Sequence, residues 1–389
     1  MRGGFHLTTL FQNYTRRSVH LVKGQGTVVT DDNGKEYLDF ISGIAVVSLG
    51  HAHPALVKAV KQQSEKLWHV SNLFESPEQE LLAAKLVKDT SFSHAFFCNS
   101  GAEANEAAIK LARKHTKKNV IITFEQSFHG RTFGAMSATG QAKVREGFGP
   151  LLETFRIIPY NDEQQLAAAI DGDVAAIMLE VIQGEGGVNQ IDPDFAQKIA
   201  EICKSKGILL IVDEVQTGIG RTGTRYAYEQ TVLEPDIITL AKGLGGGFPI
   251  GAMLGSGELF QSFGPGTHGT TFGGNPLAVA VAQTVVDIVF KKKFLQEVED
   301  KSEYLIEKLQ TLLPQNQFSI LGAGLLIGVK CEKEILPFIQ QAEQAGLLLV
   351  QAGTNVIRLL PPLTVTYEEI DQAVAILSAI LLAEKVTIL

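Results

Sequence analysis

Lys242 is the first residue to question. The apolar run Asp236–Leu240 ends in Ala241-Lys242-Gly243-Leu244-Gly245-Gly246-Gly247. A lysine in an apolar pocket or near another cation loses proton affinity and becomes a usable amine nucleophile. The glycines after it let backbone pass close to a bulky planar ligand. Earlier in the chain, Ile208-Leu209-Leu210-Ile211-Val212 runs straight into Asp213-Glu214-Val215-Gln216. That places a carboxylate at the carboxyl end of a strand, where open α/β sheets put their ligands. Taken singly, Lys242 could merely close a strand, and Asp213 could cap the next turn.

Two further segments have chemistry-bearing residues in similar positions. Asn99-Ser100-Gly101-Ala102 follows the apolar Ala95–Cys98 and opens a helix with Ala104, Ala108, Leu111 and Ala112 on one face. Free N–H groups and the helix dipole make such a start an anion site, although a plain N-cap by Ser100 reads equally well. After Val120–Thr123 comes Ser127-Phe128-His129-Gly130-Arg131-Thr132. Phe128 could stack on an aromatic ring or fill core, and Arg131 could take a carboxylate through two parallel bonds.

The elements that must position these residues alternate. Ala95–Cys98, Val120–Thr123, Ala175–Val181, Ile208–Val212 and Asp236–Leu240 read as buried strands of a mostly parallel sheet. A helix between two of them opens at Asp192-Pro193, buries Phe195, Ile199 and Ile202, and stops at Gly207. Residues 19–47 read as short β-like runs with turns at Lys23-Gly24 and Asp32-Asn33-Gly34. Late in the chain come a helix around 300–312, a strand-like Gly324–Val329, and a capping box of Thr366 with Glu369 before Ile370, Ala373, Val374 and Leu377. The expectation is an α/β fold: a large domain over residues 61–298, and a smaller α+β domain built from 1–60 and 299–389.

Composition limits the functions available. With 34 Lys+Arg against 42 Asp+Glu, the net charge of −8 argues against nucleic acid or an anionic membrane surface as the main partner. Cys98, Cys203 and Cys331 lie far apart, form no metal spacing and suit a reducing cytoplasm. No signal-peptide pattern or membrane-length apolar run is present, and Phe5 to Leu10 reads as a segment that packs or frays. Gly218-Ile219-Gly220-Arg221-Thr222-Gly223 satisfies GxGxxG, but five residues separate it from the strand and no apolar helix follows. His51 and His53 lack a third ligand at useful spacing, and Pro54 marks a helix start instead.

The assembly resembles one family. Asn-Ser-Gly-Ala-Glu-Ala-Asn-Glu, Phe-His-Gly-Arg-Thr, Asp213-Glu214-Val215-Gln216-Thr217-Gly218 and Lys242 are similar to the subgroup-III (ω-amino) pyridoxal-phosphate aminotransferases, from Gly26 through Arg358. The resemblance implies a fold-type-I transferase with pyridoxal 5'-phosphate as cofactor. It makes Lys242 the Schiff-base lysine and proton shuttle, and Asp213 the partner of the ring nitrogen. Gln216 is expected near the ring hydroxyl, Phe128 on the ring face, and Ser100, Gly101 and Ala102 at the phosphate. Glu214 and Val215 belong to the same cofactor segment. Thr271 resembles the threonine that reaches a neighbouring subunit's phosphate, which implies a homodimer with shared active sites; Thr270 beside it is expected to touch substrate.

The same resemblance places Arg358, in Val356-Ile357-Arg358-Leu359-Leu360-Pro361, as the clamp for the α-carboxylate of glutamate or 2-oxoglutarate. An ω-amine has no carboxylate there, and an unpaired buried cation costs on the order of 3–5 kcal/mol. Glu185, in Gln183-Gly184-Glu185-Gly186-Gly187, matches the family's removable partner. Arg131 then takes the far carboxylate of the amine. Ornithine-specific relatives usually carry tyrosine where this chain has Ile44, which favours an acylated donor such as N-acetylornithine, used in arginine biosynthesis, or one without an α-amino group. Succinylornithine, ornithine and 4-aminobutyrate remain open. Ala102 replaces a common threonine, and Tyr14 is expected on the substrate side.

Overall fold

The computed structural model describes residues 9–383; residues 5–8 of the Phe5–Leu10 segment lie outside it, as do the ends of the two terminal domain segments. A seven-stranded sheet forms the centre, in the order Phe92–Cys98, Gly251–Ser256, Ile237–Leu240, Leu209–Asp213, Val174–Leu179, Val120–Phe124, Phe155–Ile158. Gly251–Ser256 is antiparallel to both neighbours, and the other pairings are parallel. All five expected strands are present. The two additional ones gave weak signals. Gly251–Ser256 is glycine-rich, which disfavours strands, and Phe155–Ile158 is only partly buried at the sheet edge. Gly251 has a local reason: a Cβ there would lie 2.5 Å from the Ser100 carbonyl, so the strand can pass under the Ser100 loop only without a side chain.

Helix Gly101–Thr116 starts at Ser100, whose side chain accepts from Glu103 N–H, and buries Ala104, Ala108, Leu111 and Ala112 as its periodicity requires. Helix Pro193–Lys206 ends at Gly207, at φ 60°. Helices such as these pack on the sheet, whose strands Val120–Phe124, Val174–Leu179 and Ile237–Leu240 are buried on both faces.

Segments from early and late in the described chain share a sheet. Leu21–Gln25, Val28–Asp31 and Glu36–Asp39 form a sheet completed by Leu347–Leu348 from the far end of the sequence. A second sheet orders Phe318–Ala323, Leu326–Cys331, Val356–Leu359 and Val350–Ala352. Helix Tyr367–Leu382 carries the predicted Thr366–Glu369 capping box.

Three expectations need correction. Lys23-Gly24 lies inside a strand, and the chain turns at Gly26-Thr27; Gly24 is needed because a Cβ would lie 2.7 Å from the His51 ring. The β-like reading to residue 47 fails beyond Asp39, where Ser42, Gly43, Ile44 and Ala45 all take positive φ in a short left-handed turn. The helix expected near 300 spans Lys292–Leu312, so a division at 298 would fall within it.

Candidate active site

The strand ends converge on a cavity of about 400 Å³, lined by Ser100, Gly101, Ala102, Phe128, Arg131, Glu185, Asp213, Val215, Gln216 and Lys242 among others. Most of the residues singled out from sequence are therefore brought together, although they come from distant segments.

Asp213 forms the floor. It is 3 % exposed, and its Oδ2 accepts from Asn105 Nδ2 and from His129 Nδ1, each at 2.8 Å; its Oδ1 accepts from Val215 N–H at 3.0 Å. Thr239 in turn donates to Asn105 Oδ1 at 2.7 Å, so the floor is a connected network. Burial would lower the proton affinity of His129, but the bond to Asp213 outweighs it and the imidazole is held above its usual range. Asn105 and His129 were not singled out as site residues. Their signals were present: a polar residue among the alanines of a buried helix face, and a histidine inside the aromatic loop.

Glu180 was also missed. It follows the strand Val174–Leu179, in the same strand-end position that drew attention to Asp213, but the expected strand ran through it. Its Oε2 accepts Phe128 N–H at 3.0 Å, and burial pushes its carboxyl up to about 8.

Lys242 takes φ 42° at the start of the 3₁₀ turn Lys242–Gly245. A non-glycine residue at positive φ is uncommon and costs on the order of 1–3 kcal/mol, strain that gathers at functional sites. Burial pushes its ammonium below the ordinary lysine range, with Glu185 pulling the other way. Lys242 is thus biased toward the free amine.

Behind Glu185 and Gln216, which line the cavity, sits Arg358, which forms an ion pair with Glu185. Arg358 is fully buried, and its Nη1 lies 2.8 Å from Glu185 Oε1, 2.8 Å from Gln216 Oε1 and 2.6 Å from the Gly184 carbonyl. Gln216 Nε2 also donates to Glu185 at 3.1 Å. Burial would raise the Glu185 carboxyl, but Arg358 overrides it and holds it below the usual range. Arg358 Nε and Nη2 have no hydrogen-bond partner among the described residues. Gln216 was expected at the cofactor's ring hydroxyl; its amide here bonds Arg358 and Glu185.

Arg131 stacks over Phe128, 5.7 Å from the ring centroid. Beside it, Glu106 accepts from Thr132 Oγ1 at 2.5 Å and from Ala135 N–H at 3.1 Å, pinning the loop that carries Arg131.

Several expected residues stand off the cavity wall. Ile44 packs against the core, and its neighbour Val46 faces the cavity. Glu214 is buried on Thr217 and Tyr228 N–H. Thr270 accepts from Asn99 Nδ2 at 3.1 Å, Thr271 is exposed, and Tyr14 is 68 % exposed. The two side readings also resolve. GxGxxG leads into the 3₁₀ turn Ala227–Gln230 with no helix to cradle a dinucleotide, and His51 pairs with Asp39 at 2.8 Å.

The cavity fits pyridoxal phosphate. A Cβ on Gly101 would lie 2.7 Å from Val215, and one on Gly130 would lie 2.8 Å from Ala102, so these segments close up only because both residues are glycine. Ser100 to Ala102, at a helix start, would hold the phosphate. Asp213, already charge-supported by His129, would hold a protonated ring nitrogen, and Lys242 supplies the primary amine.

Fold and site together define a pyridoxal-phosphate-dependent transferase of fold type I. Within that class the chain belongs to the aminotransferase class-III family, whose model matches residues 11–381. It is 55% identical over 382 residues to an acetylornithine aminotransferase of Bacillus cereus, covering 98% of this chain and 99% of that protein. Among solved structures it resembles the ornithine aminotransferase of Toxoplasma gondii ME49, with TM-score 0.92 and 34% identity over 96% of this chain and 93% of that one. It also resembles the N-acetylornithine aminotransferase of Stenotrophomonas maltophilia K279a, with TM-score 0.82 and 40% identity over 95% and 96% of the two chains. Pyridoxal phosphate is the cofactor, and no helix among the described residues is long and apolar enough to cross a membrane.

Proposed function

We propose that this aminotransferase moves the δ-amino group of N2-acetyl-L-ornithine to 2-oxoglutarate, giving N-acetyl-L-glutamate 5-semialdehyde and L-glutamate, in the cytoplasm and in arginine biosynthesis. The observation that carries it is the 2.8 Å pair between buried Arg358 and Glu185, a residue that lines the same cavity as Arg131. A site for two unlike amino donors needs one carboxylate clamp that is always available and a second that can be covered.

When bound, pyridoxal phosphate accepts the electron pair left as a proton leaves the carbon next to nitrogen. The chain's own residues do the rest. Asp213, supported by His129 and Asn105, keeps the ring nitrogen charged. Lys242 removes the proton and returns it one position along, a task suited to an amine whose proton affinity burial has lowered. Arg131 holds the far carboxylate of acetylornithine while Glu185 neutralises Arg358. Glu185 then swings out, and Arg358 takes the α-carboxylate of 2-oxoglutarate through donors that include its unpartnered Nε and Nη2.

Support for an acylated donor comes from Val46. It puts an aliphatic side chain on the cavity wall, so this position offers no hydrogen-bond partner to a free α-ammonium. Glutamate formation from N-acetylornithine, ornithine and 4-aminobutyrate, each with 2-oxoglutarate, tests the substrate. N-acetylornithine should have a kcat/KM at least about tenfold above either rival, a difference of about 1.4 kcal/mol. Equal or better use of ornithine would overturn it.

We further propose a homodimer in which Thr271 reaches the partner's cofactor phosphate. In its own chain Thr271 lies away from the cavity and next to the exposed Phe272, which is what a residue serving the other subunit requires.

A further inference from the structure

Arg221 occupies the centre of the glycine pattern 218–223, a motif that neither cofactor nor substrate binding accounts for. Its side chain is 2 % exposed and has no carboxylate partner among the described residues. Nη1 donates to the Leu325 carbonyl at 2.9 Å and to the Pro361 carbonyl at 2.6 Å, while Nη2 has no partner. Burying a cation against neutral carbonyls alone is unfavourable, so this arrangement calls for a reason.

The two carbonyls bracket Arg358. Leu325 precedes the strand Leu326–Cys331, in which Gly328 is the register partner of Arg358. Pro361 lies just beyond the end of Val356–Leu359, the strand that carries Arg358. Leu325 N–H also donates to the Arg221 carbonyl at 2.9 Å, so Arg221 grips that strand start through both side chain and backbone. At the other end of the same loop, Gln216 Oε1 accepts from Arg358 Nη1 at 2.8 Å. The loop 216–221 therefore touches the Arg358 strand twice, once at the guanidinium and once past the strand's end. Gly220, at φ 82°, and Gly223, at φ 93°, make the bends that turn Arg221 inward, and at each a Cβ would press on a neighbour, Val289 and Glu299 respectively.

We infer that Arg221 is a positioning residue for Arg358: it locks two adjacent strands to the Gln216 loop and so sets where the α-carboxylate clamp stands behind Glu185 and Gln216 of the cavity wall. This rests on reading Arg358 as that clamp. Because the ω-amine makes no contact with Arg358, the effect should fall on the half-reaction shared by glutamate and 2-oxoglutarate.

The test compares Arg221→Met, Arg221→Lys and Arg358→Met holoenzymes. Arg221→Met should raise KM for 2-oxoglutarate about tenfold or more, while the single-turnover rate with N-acetylornithine and the visible absorbance of the cofactor stay within about twofold. Arg221→Lys should recover part of the loss, because one ammonium can still reach one of the two carbonyls. Equal losses in both half-reactions, or an unchanged KM in an Arg221→Met enzyme that folds, would overturn the proposal. If Arg221→Met does not fold, Arg221→Lys decides: a KM raised for 2-oxoglutarate alone supports positioning, and a wild-type KM refutes it. If Arg358→Met is selective for the keto acid and the Arg221 variants are not, the positioning role alone falls. If Arg358→Met leaves that KM unchanged, the clamp reading falls and this inference with it.

Discussion

Glu185 meets Arg358 through one oxygen, with 2.8 Å between a carboxylate 27% exposed at its side chain and a guanidinium with no exposure. The asymmetry gives the pair its direction of movement. Arg358 is fixed by Gly184 and Gln216 and cannot leave, whereas Glu185 has solvent on one side and can. Glu185→Gln keeps the shape and removes the charge. It should slow the N-acetylornithine half-reaction roughly tenfold or more while changing the glutamate half-reaction less than about threefold. Stopped-flow absorbance with each amine alone checks this, and equal effects would show that Glu185 is not the removable partner.

Arg131 carries a different specificity. It stacks on Phe128 and makes no hydrogen bond among the described residues, so its donors are available to a ligand. Arg131→Met should raise KM for N-acetylornithine about tenfold, with a smaller change for 4-aminobutyrate, whose single carboxylate sits closer to its amine. Steady-state kinetics on the two amines is the measurement.

The floor network predicts a graded series. Hydrogen bonds to charged groups are worth about 1.5–3 kcal/mol, so His129→Phe, which deletes the Nδ1 donor to Asp213, should lower kcat roughly tenfold to a hundredfold. Asp213→Asn removes the charge itself and should cost about a hundredfold or more. A His129 variant with wild-type kcat would show that the contact is structural only.

Glu214 links pH to stability. Burial raises its carboxyl to about 7, from the ordinary 4.5, although Thr217 and the backbone of Tyr228 bond it. Between those two values the folded chain binds the proton and the unfolded chain does not, so stability falls as pH rises through that window. Thermal melts of the apoprotein should therefore show Tm declining from pH 5 to pH 7, and Glu214→Gln should flatten that slope. An unaltered slope in the variant would place the titration elsewhere.

Much of this architecture was legible in the chain because it rests on local rules. Ile208–Val212 and Asp236–Leu240 read as short apolar buried strands, which the structure places at Leu209–Asp213 and Ile237–Leu240, and Thr366 with Glu369 announces a helix start by side-chain chemistry alone. What was hidden depends on tertiary approach. Gly24 looks like a turn residue until the His51 ring is seen against it, and the glycine that opens the strand Gly251–Ser256 has its reason only in the Ser100 carbonyl packed against it. The same holds in the site. Lys242, Asp213 and Arg131 are marked by their types and strand-end positions, whereas Asn105 and His129 matter only because the fold points both at one Asp213 oxygen. Arg221 lay within a motif that suggested a nucleotide, and only its two carbonyl partners give it another meaning.

The central claim is that Lys242 holds pyridoxal phosphate in a cavity made for N-acetylornithine. It is tested most directly by the visible absorbance of the purified enzyme as each amine is added without any keto acid. The account predicts a band of the lysine-bound cofactor, absent in Lys242→Ala, that bleaches faster with N-acetylornithine than with ornithine or 4-aminobutyrate. A band that ignores N-acetylornithine and bleaches with ornithine would contradict the substrate, and a band unchanged in Lys242→Ala would contradict the site.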